Sequence, residues 1–301
     1  HRDGAGPGRR LIRLRARPGG RRTGPRRRAL LLWLVLAGCA AVRPAAAADA
    51  LDPAVGSIAG AVYANPYFGL RYPLPAGWSA GPGPPAPSYS GYYILATPAP
   101  PPAAKATILV AAQDRFFAAP PVEGADALLK NLSESAAKSG AAKPRLSTVT
   151  IAGRGFTRLM LEASPLSRIV LATDIRCHVL IFTFAAADRQ QLERLAESLD
   201  RLTLAAEGAV PACVKGYATA QTIRHKTPVP PAAPYFVKLP VRILVGTDGG
   251  VSAVHVIRAS AAQRSNIAAA LKEWRFAPYL HDGRPRAVET GLSFEFAPAG
   301  R

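Results

Sequence analysis

The side chains with the most reactive chemistry in this chain are its cysteines and histidines. Cys177 and His178 are adjacent, and a thiol beside an imidazole is the pairing behind cysteine nucleophiles. Their spacing argues against that role. Both lie in the strand-like run Arg176–Phe184, where neighbouring side chains point to opposite faces and cannot easily share a proton. His178, His225, His255 and His281 are scattered, without the spacing of a metal site. No nucleophile-elbow, zinc-protease, phosphate-loop or dinucleotide fingerprint occurs. Asp248 and Asp282 fall in turn motifs that explain them. The expectation is a non-enzymatic protein with no catalytic residue, metal ligand or cofactor.

Cysteine chemistry of a different kind remains. Arg26-Arg27-Arg28 precedes an apolar run, Ala29–Gly38, the pattern of a signal peptide. The run is too short for a comfortable membrane span, which needs about 20 residues. Two processing sites compete. Leu36-Ala37-Gly38-Cys39 resembles a bacterial lipobox, which would make Cys39 a lipid attachment site. Ala46-Ala47-Ala48 before Asp49 reads as an ordinary signal-peptidase site. Cys177 and Cys213 survive either cut. An oxidising compartment would permit a disulfide between them, the alternative being two separate thiols. A bridge would contribute roughly 3–4 kcal/mol in the chain-entropy model.

The formal charge of +19 over 301 residues does not indicate nucleic acid. Residues 1–28 hold eleven Arg and one acid, Asp3. The rest of the basic residues are scattered, with no stripe interleaved with aromatics. No nucleic-acid partner is expected.

The elements fall into two regions. In residues 58–206 the strand candidates are Phe68–Tyr72, Tyr92–Ala96, Ala106–Ala111, Leu146–Ile151, Phe156–Leu161, Ser167–Ala172 and Cys177–Phe184. One helix places Leu128, Leu129, Leu132 and Ala136 on a face and stops at Gly140. A second opens on the capping pair Asp188 and Gln191 and buries Leu192, Leu195, Leu199 and Leu202. This predicts a two-layer α+β sandwich. The opening Phe68–Trp78 and the closing Leu195–Leu202 resemble the PsbP-like fold, whose members are often small exported binding and assembly modules. Tyr63, Tyr67, Phe68, Tyr72 and Trp78 read as core rather than a pocket lining.

Residues 207–238 are polar and then Pro-rich, which predicts an extended linker. Residues 239–301 follow. Val241–Val245 is a strand, and Thr247-Asp248-Gly249-Gly250 a hairpin turn. Val251–Ile257 returns, and Ser260 caps a helix carrying Ile267, Leu271 and Trp274. Asp282-Gly283 turns again before the last strand, Val288–Phe296. The order is ββαβ, with a short strand possible near Arg275–Tyr279.

The residues Asp248, Gly249, Trp274, Phe276, Pro278, Gly283, Phe294 and Phe296 give this segment a resemblance to the C-terminal domain of TonB-type energy transducers. The resemblance implies binding of the extended TonB box of an outer-membrane transporter by addition to a sheet edge. Either strand of the hairpin or Val288–Phe296 could offer that edge. The whole is then expected to be two α+β domains: residues 1–48 a basic region and signal peptide, 49–57 a linker, 58–206 PsbP-like, 207–238 a linker and 239–301 TonB-like. Its expected place is the periplasm or cell envelope of a Gram-negative bacterium, with a lipid anchor at Cys39 as one means of retention there, and its expected partner a protein. Two alternatives stand beside this reading. One is a true transducer coupled to a proton motor, with residues 29–42 kept as a membrane anchor. The other is an envelope assembly or scaffold factor.

Overall fold

In a computed structural model, residues 51–140, 142–231 and 236–298 are described. Cys39 and both processing sites lie outside them. Near the start, β1 (Ser57–Ala59), β2 (Val62–Asn65) and β3 (Leu70–Pro73) form a small antiparallel sheet. Pro75 follows closely and the chain leaves the sheet. The six long strands β4 (Tyr92–Ala96), β5 (Ala106–Asp114), β6 (Lys143–Ile151), β7 (Arg154–Glu162), β8 (Ser167–Ile175) and β9 (His178–Ala186) make one antiparallel sheet. Its order is β4-β5-β9-β8-β7-β6.

The sequence of β9, His-Val-Leu-Ile-Phe-Thr-Phe-Ala-Ala, is apolar at both parities. Both faces of the sheet must therefore be covered. Val179 and Ile181 face the helix α1 (Ala125–Ser139) through Ala125 and Leu129. Leu180, Phe182 and Phe184 face the helix α2 (Arg189–Glu197) and the aromatic residues of β1–β3 and their loops. The region thus has three layers, not the two expected. Leu132 also departs from expectation: it is 41% exposed, because the inward stripe of α1 runs from Ala125 through Leu129 instead. On α2, Asp188 Oδ1 accepts the Gln191 N–H at 2.7 Å, and Leu192, Leu195, Leu199 and Leu202 are all buried. Tyr63, Tyr67, Phe68, Tyr72 and Trp78 are buried in the same core.

The second region contains β10 (Ala212–Cys213), a one-turn helix α3 (Tyr217–Ala220), β11 (Thr222–Arg224), β12 (Val237–Val245), β13 (Val251–Val256), the helix α4 (Ala261–Lys272), β14 (Arg275–Phe276), β15 (Leu280–His281), β16 (Arg284–Pro285) and β17 (Val288–Phe296). Its main sheet has the order β10-β17-β12-β13. On one face Leu239, Val241, Ile243 and Val245 pack against Ile267 and Leu271 of α4. Ser260 and Gln263 close a reciprocal capping box at the start of that helix. The other face of the sheet packs on the six-stranded sheet's core, which takes in Ala253, Ile257 and Leu244.

That second contact changes the domain picture. The residues from Leu51 onward fall in one compact unit, not in two joined by a tether. The reason lies in β12, whose run Val241–Val245 buries both faces. The expected linker is also largely structured. Within it β10 pairs with β17, β11 pairs with β14, and Tyr217 and Ala218 are buried. Its Pro-rich end lies along α4. Trp274 Nε1 donates to Lys226 O at 2.9 Å, and the Asn266 amide bonds both Val229 N (3.2 Å) and Val229 O (2.5 Å). Asn266 lies within α4 and Trp274 just past its end, so the helix and its exit together hold this stretch.

Candidate functional site

The residues that drew attention in the C-terminal sequence fall into two groups in space. Trp274, Phe276, Phe294 and Phe296 form one aromatic cluster. Trp274 lies 6.0 Å from Phe276 and 6.1 Å from Phe294, and Phe294 lies 6.3 Å from Phe296. Tyr217 of α3 joins it at 6.1 Å from Phe276. Asp248 and Gly249 build the β12–β13 turn. Asp248 Oδ1 accepts the Gly250 N–H at 3.0 Å. Gly249 has φ +77°, and any Cβ there would collide with the carbonyl of Phe276. The Phe276 N–H in turn bonds Gly249 O at 2.9 Å. Glycine is required twice over, for its dihedral and for this close approach. Pro278 and Gly283 are exposed and outside the cluster.

The sheet these residues support has an open side. In the β12–β17 pair, alternate residues of β17 turn their backbone groups away from β12. Ala287 O and Glu289 O are two such outward groups, and they accept from Ala212 N (3.0 Å) and Val214 N (3.1 Å). By the same alternation Gly291, Ser293 and Glu295 also point outward. No strand pairs with them among the described residues. A cavity of about 770 Å³ is lined by Phe116, Phe117 and Tyr89, by the start of β12 through Pro240, by Arg258, and by Ser293 of β17. Tyr89 is largely exposed, and Arg258 stacks on its ring at 4.6 Å. Phe116 is the wall nearest the edge. A Cβ on Gly291 would come within 2.7 Å of the Phe116 Cβ, so only glycine lets the ring sit there.

Behind Phe116 is a sealed charged cluster. Arg242, in the middle of β12, is fully buried and lies under the Phe116 ring at 5.1 Å. Its Nη1 donates to Asp114 Oδ2 at 2.7 Å, and its Nη2 donates to Glu289 Oε2 at 2.7 Å and to Tyr67 OH at 3.1 Å. Arg176 donates through Nε to Glu289 Oε1 at 2.9 Å and stacks on Tyr67 at 3.9 Å. His178 Nδ1 lies 2.8 Å from Arg176 O, and its Nε2 is 3.7 Å from Asp114 Oδ2. Burial pushes Asp114 up from the usual carboxylate value, and Arg242 pulls it back. Burial lowers Arg242 too, but Asp114, Tyr67 and Glu289 more than offset that and keep it charged. Burial, then Arg242, holds His178 well below the ordinary imidazole range, so it is neutral. Two cations thus face two carboxylates, and the group fastens the β12–β17 pair onto the six-stranded sheet.

A disulfide joins Cys177 to Cys213 at this junction, with their Cα atoms 5.3 Å apart. Cys177 therefore presents no thiol to His178. No group of three or more potential metal ligands occurs among the described residues. No helix among them is long and apolar enough to cross a membrane.

The sequence reading did not single out Arg242, Asp114, Glu289, Arg176 or Tyr67 as a group. One signal was available: Arg242 interrupts an otherwise apolar strand, Val241–Val245, and a charge there needs a buried partner.

No protein-family model and no curated protein matches the chain. Among solved structures, the solution structure of cyanobacterial PsbP (CyanoP) from Synechocystis sp. PCC 6803 is similar, at 13% sequence identity. The match covers 50% of this chain and 99% of that one, with a TM-score of 0.34. A likeness of that degree is no basis for assigning a function to the chain.

Proposed function

We propose that this protein is an envelope binding module that takes up an extended segment of a partner protein by adding it to the outer edge of β17. The observation that carries this is the edge itself. It has already accepted one strand, β10, over Val288 and Glu289, and from Thr290 to Phe296 no further strand pairs with it among the described residues, although the one-turn helix α3 lies against β17. A strand laid there would bond the outward groups of Gly291, Ser293 and Glu295. Every second side chain of that strand would turn toward Phe116 and the cavity. Backbone bonds would supply affinity and the cavity would supply selectivity. The C-terminal resemblance to TonB-type transducers supports the same reading and nominates the TonB box of an outer-membrane transporter as the ligand.

The test is a titration of the full chain with a labelled TonB-box peptide, followed by fluorescence anisotropy. Saturable binding at micromolar to millimolar peptide is the expected result. Ser293→Pro removes an outward N–H without touching the β12 ladder, and weakens binding at least tenfold. A peptide N-methylated at alternate residues loses binding in the same way. Absence of binding at millimolar peptide sinks the proposal.

A further inference from the structure

The strand β10 is an addition that the chain makes to itself. It runs parallel to β17, with Ala212 opposite Val288 and Cys213 opposite Glu289. Its apolar anchoring is partial, with Ala212 and the following Val214 only half-buried against the α4-side core. Beyond the ladder itself, the Ala212 and Val214 N–H groups donate to Ala287 O and Glu289 O, and nearby Arg286 Nη2 donates to Val210 O at 2.9 Å. Ala212 is only half-buried and Cys213 is exposed. The strong tether is the bond from Cys213 to Cys177, which lies in the turn between β8 and β9. Downstream, Tyr217 and Ala218 are buried in the α4-side core and keep the chain attached whatever β10 does. Beneath β10, the Glu289 side chain is held by Arg176 and Arg242, so β17 stays in place without it.

We propose that the Cys177–Cys213 disulfide is a redox latch on the binding edge of β17: closed, it holds β10 over Val288 and Glu289; opened by a dithiol reductant, it frees them. This rests on the peptide-binding reading above. Cys213 is the exposed residue of the pair, whereas Cys177 is buried. A thiolate of the reductant attacks Cys213 Sγ, the S–S bond breaks, and Cys177 leaves as a thiolate that takes up a proton. The second thiol of the reductant then attacks the mixed disulfide and displaces Cys213, which is protonated in turn. The protein gains two electrons and two protons, and the reductant departs as its own disulfide. While closed, the latch keeps β10 at a local concentration no free peptide can match. Once open, the edge available to a partner lengthens from Thr290–Phe296 to Val288–Phe296.

The experiment uses the full chain, oxidised or reduced with dithiothreitol, and reads amide hydrogen exchange together with binding of a synthetic peptide copying Val210–Lys215 with serine in place of the cysteine. Reduction is expected to speed exchange at Ala212 and Val214 at least tenfold and leave the β7–β8 ladder unchanged. The peptide is expected to bind the reduced chain at least tenfold more tightly than the oxidised one. Cys213→Ser should behave as the reduced form does. Unchanged exchange at Ala212 and Val214 overturns the latch. So does a loss of protection spread through β7, β8 and β9, which would make the bridge a staple of the whole fold. If β10 opens as expected but no TonB-box peptide binds either form, the peptide-binding reading fails while the release of β10 stands.

Discussion

The two faces of the β12–β17 pair are built on opposite principles. Toward α4 the sheet presents Val241, Ile243, Val245, Val288 and Phe296, which meet Ile267 and Leu271. Toward the six-stranded sheet the same two strands present Arg242 and Glu289, which meet Asp114 and Arg176. The apolar face can tolerate neighbours of roughly the right volume. The charged face cannot, because each buried charge demands a partner at hydrogen-bond distance. Apolar packing makes the small sheet stable, and ion pairing fixes where on the larger sheet it sits.

The sharpest way to break this comparison is at adjacent residues of one strand. Arg242→Ala leaves Asp114 buried without its guanidinium and should cost about 3–5 kcal/mol in urea unfolding of the full chain. Asp114→Asn alone is also destabilising. The double variant Arg242→Ala, Asp114→Asn should cost at least about 1 kcal/mol less than the sum of the singles, because neither charge is stranded. Strict additivity would show that the two do not act as a pair.

Next in size is the apolar face. Ile243→Ala removes a fully buried side chain from the contact with α4 and should cost about 2–4 kcal/mol. Its effect should be independent of reduction of Cys177–Cys213, since Ile243 faces α4 while the bridge joins β10 to the turn between β8 and β9. An Ile243→Ala cost above that of Arg242→Ala would reverse the ranking of the two faces.

The same contrast explains what could be read from sequence. The α4 face was legible because its signals are local. The Asp248-Gly249 turn, the Ser260 cap and the spacing of Ile267 and Leu271 each sit within a few residues. The leucine stripe of α2 with its Asp188 cap was legible for the same reason. The charged face was not. Asp114 and Arg242 lie 128 positions apart, and Tyr67 and Glu289 lie 222 apart. No periodicity links such positions. The run Val179–Phe184 is apolar at both parities and so signals two covered faces, but it does not say which distant segment supplies the second cover; that cover comes from β1–β3, far away in the chain. The short elements β10 and α3 were hidden in a polar segment whose order comes from one disulfide and one tyrosine.

The smallest expected effect is a pH dependence confined to the charged face. His255 lies on that side of β13, with Nε2 3.8 Å from Asp52 Oδ1 and 3.4 Å from Tyr93 OH. Burial lowers its pKa to about 4; Asp52 opposes the shift, while Arg242 and Arg264 add to it. In the unfolded chain it titrates near 6.5. Above that value both states are neutral and the full stability is present. As pH falls below it, the unfolded chain takes the proton first and stability is lost, until the folded state also protonates near pH 4. The slope attributable to one such group is at most about 1.4 kcal/mol per pH unit. His178 acts in the same sense, and Asp114, raised by burial, acts in the opposite one. Comparing the parent with His255→Gln cancels both. Urea midpoints measured at pH 7, 6 and 5 should fall less steeply for the variant, by about 1 kcal/mol between pH 6 and pH 5. Parallel curves for the two proteins would mean that His255 is solvated rather than held against the charged face, and that the packing of β13 on Tyr93 is looser than its geometry implies.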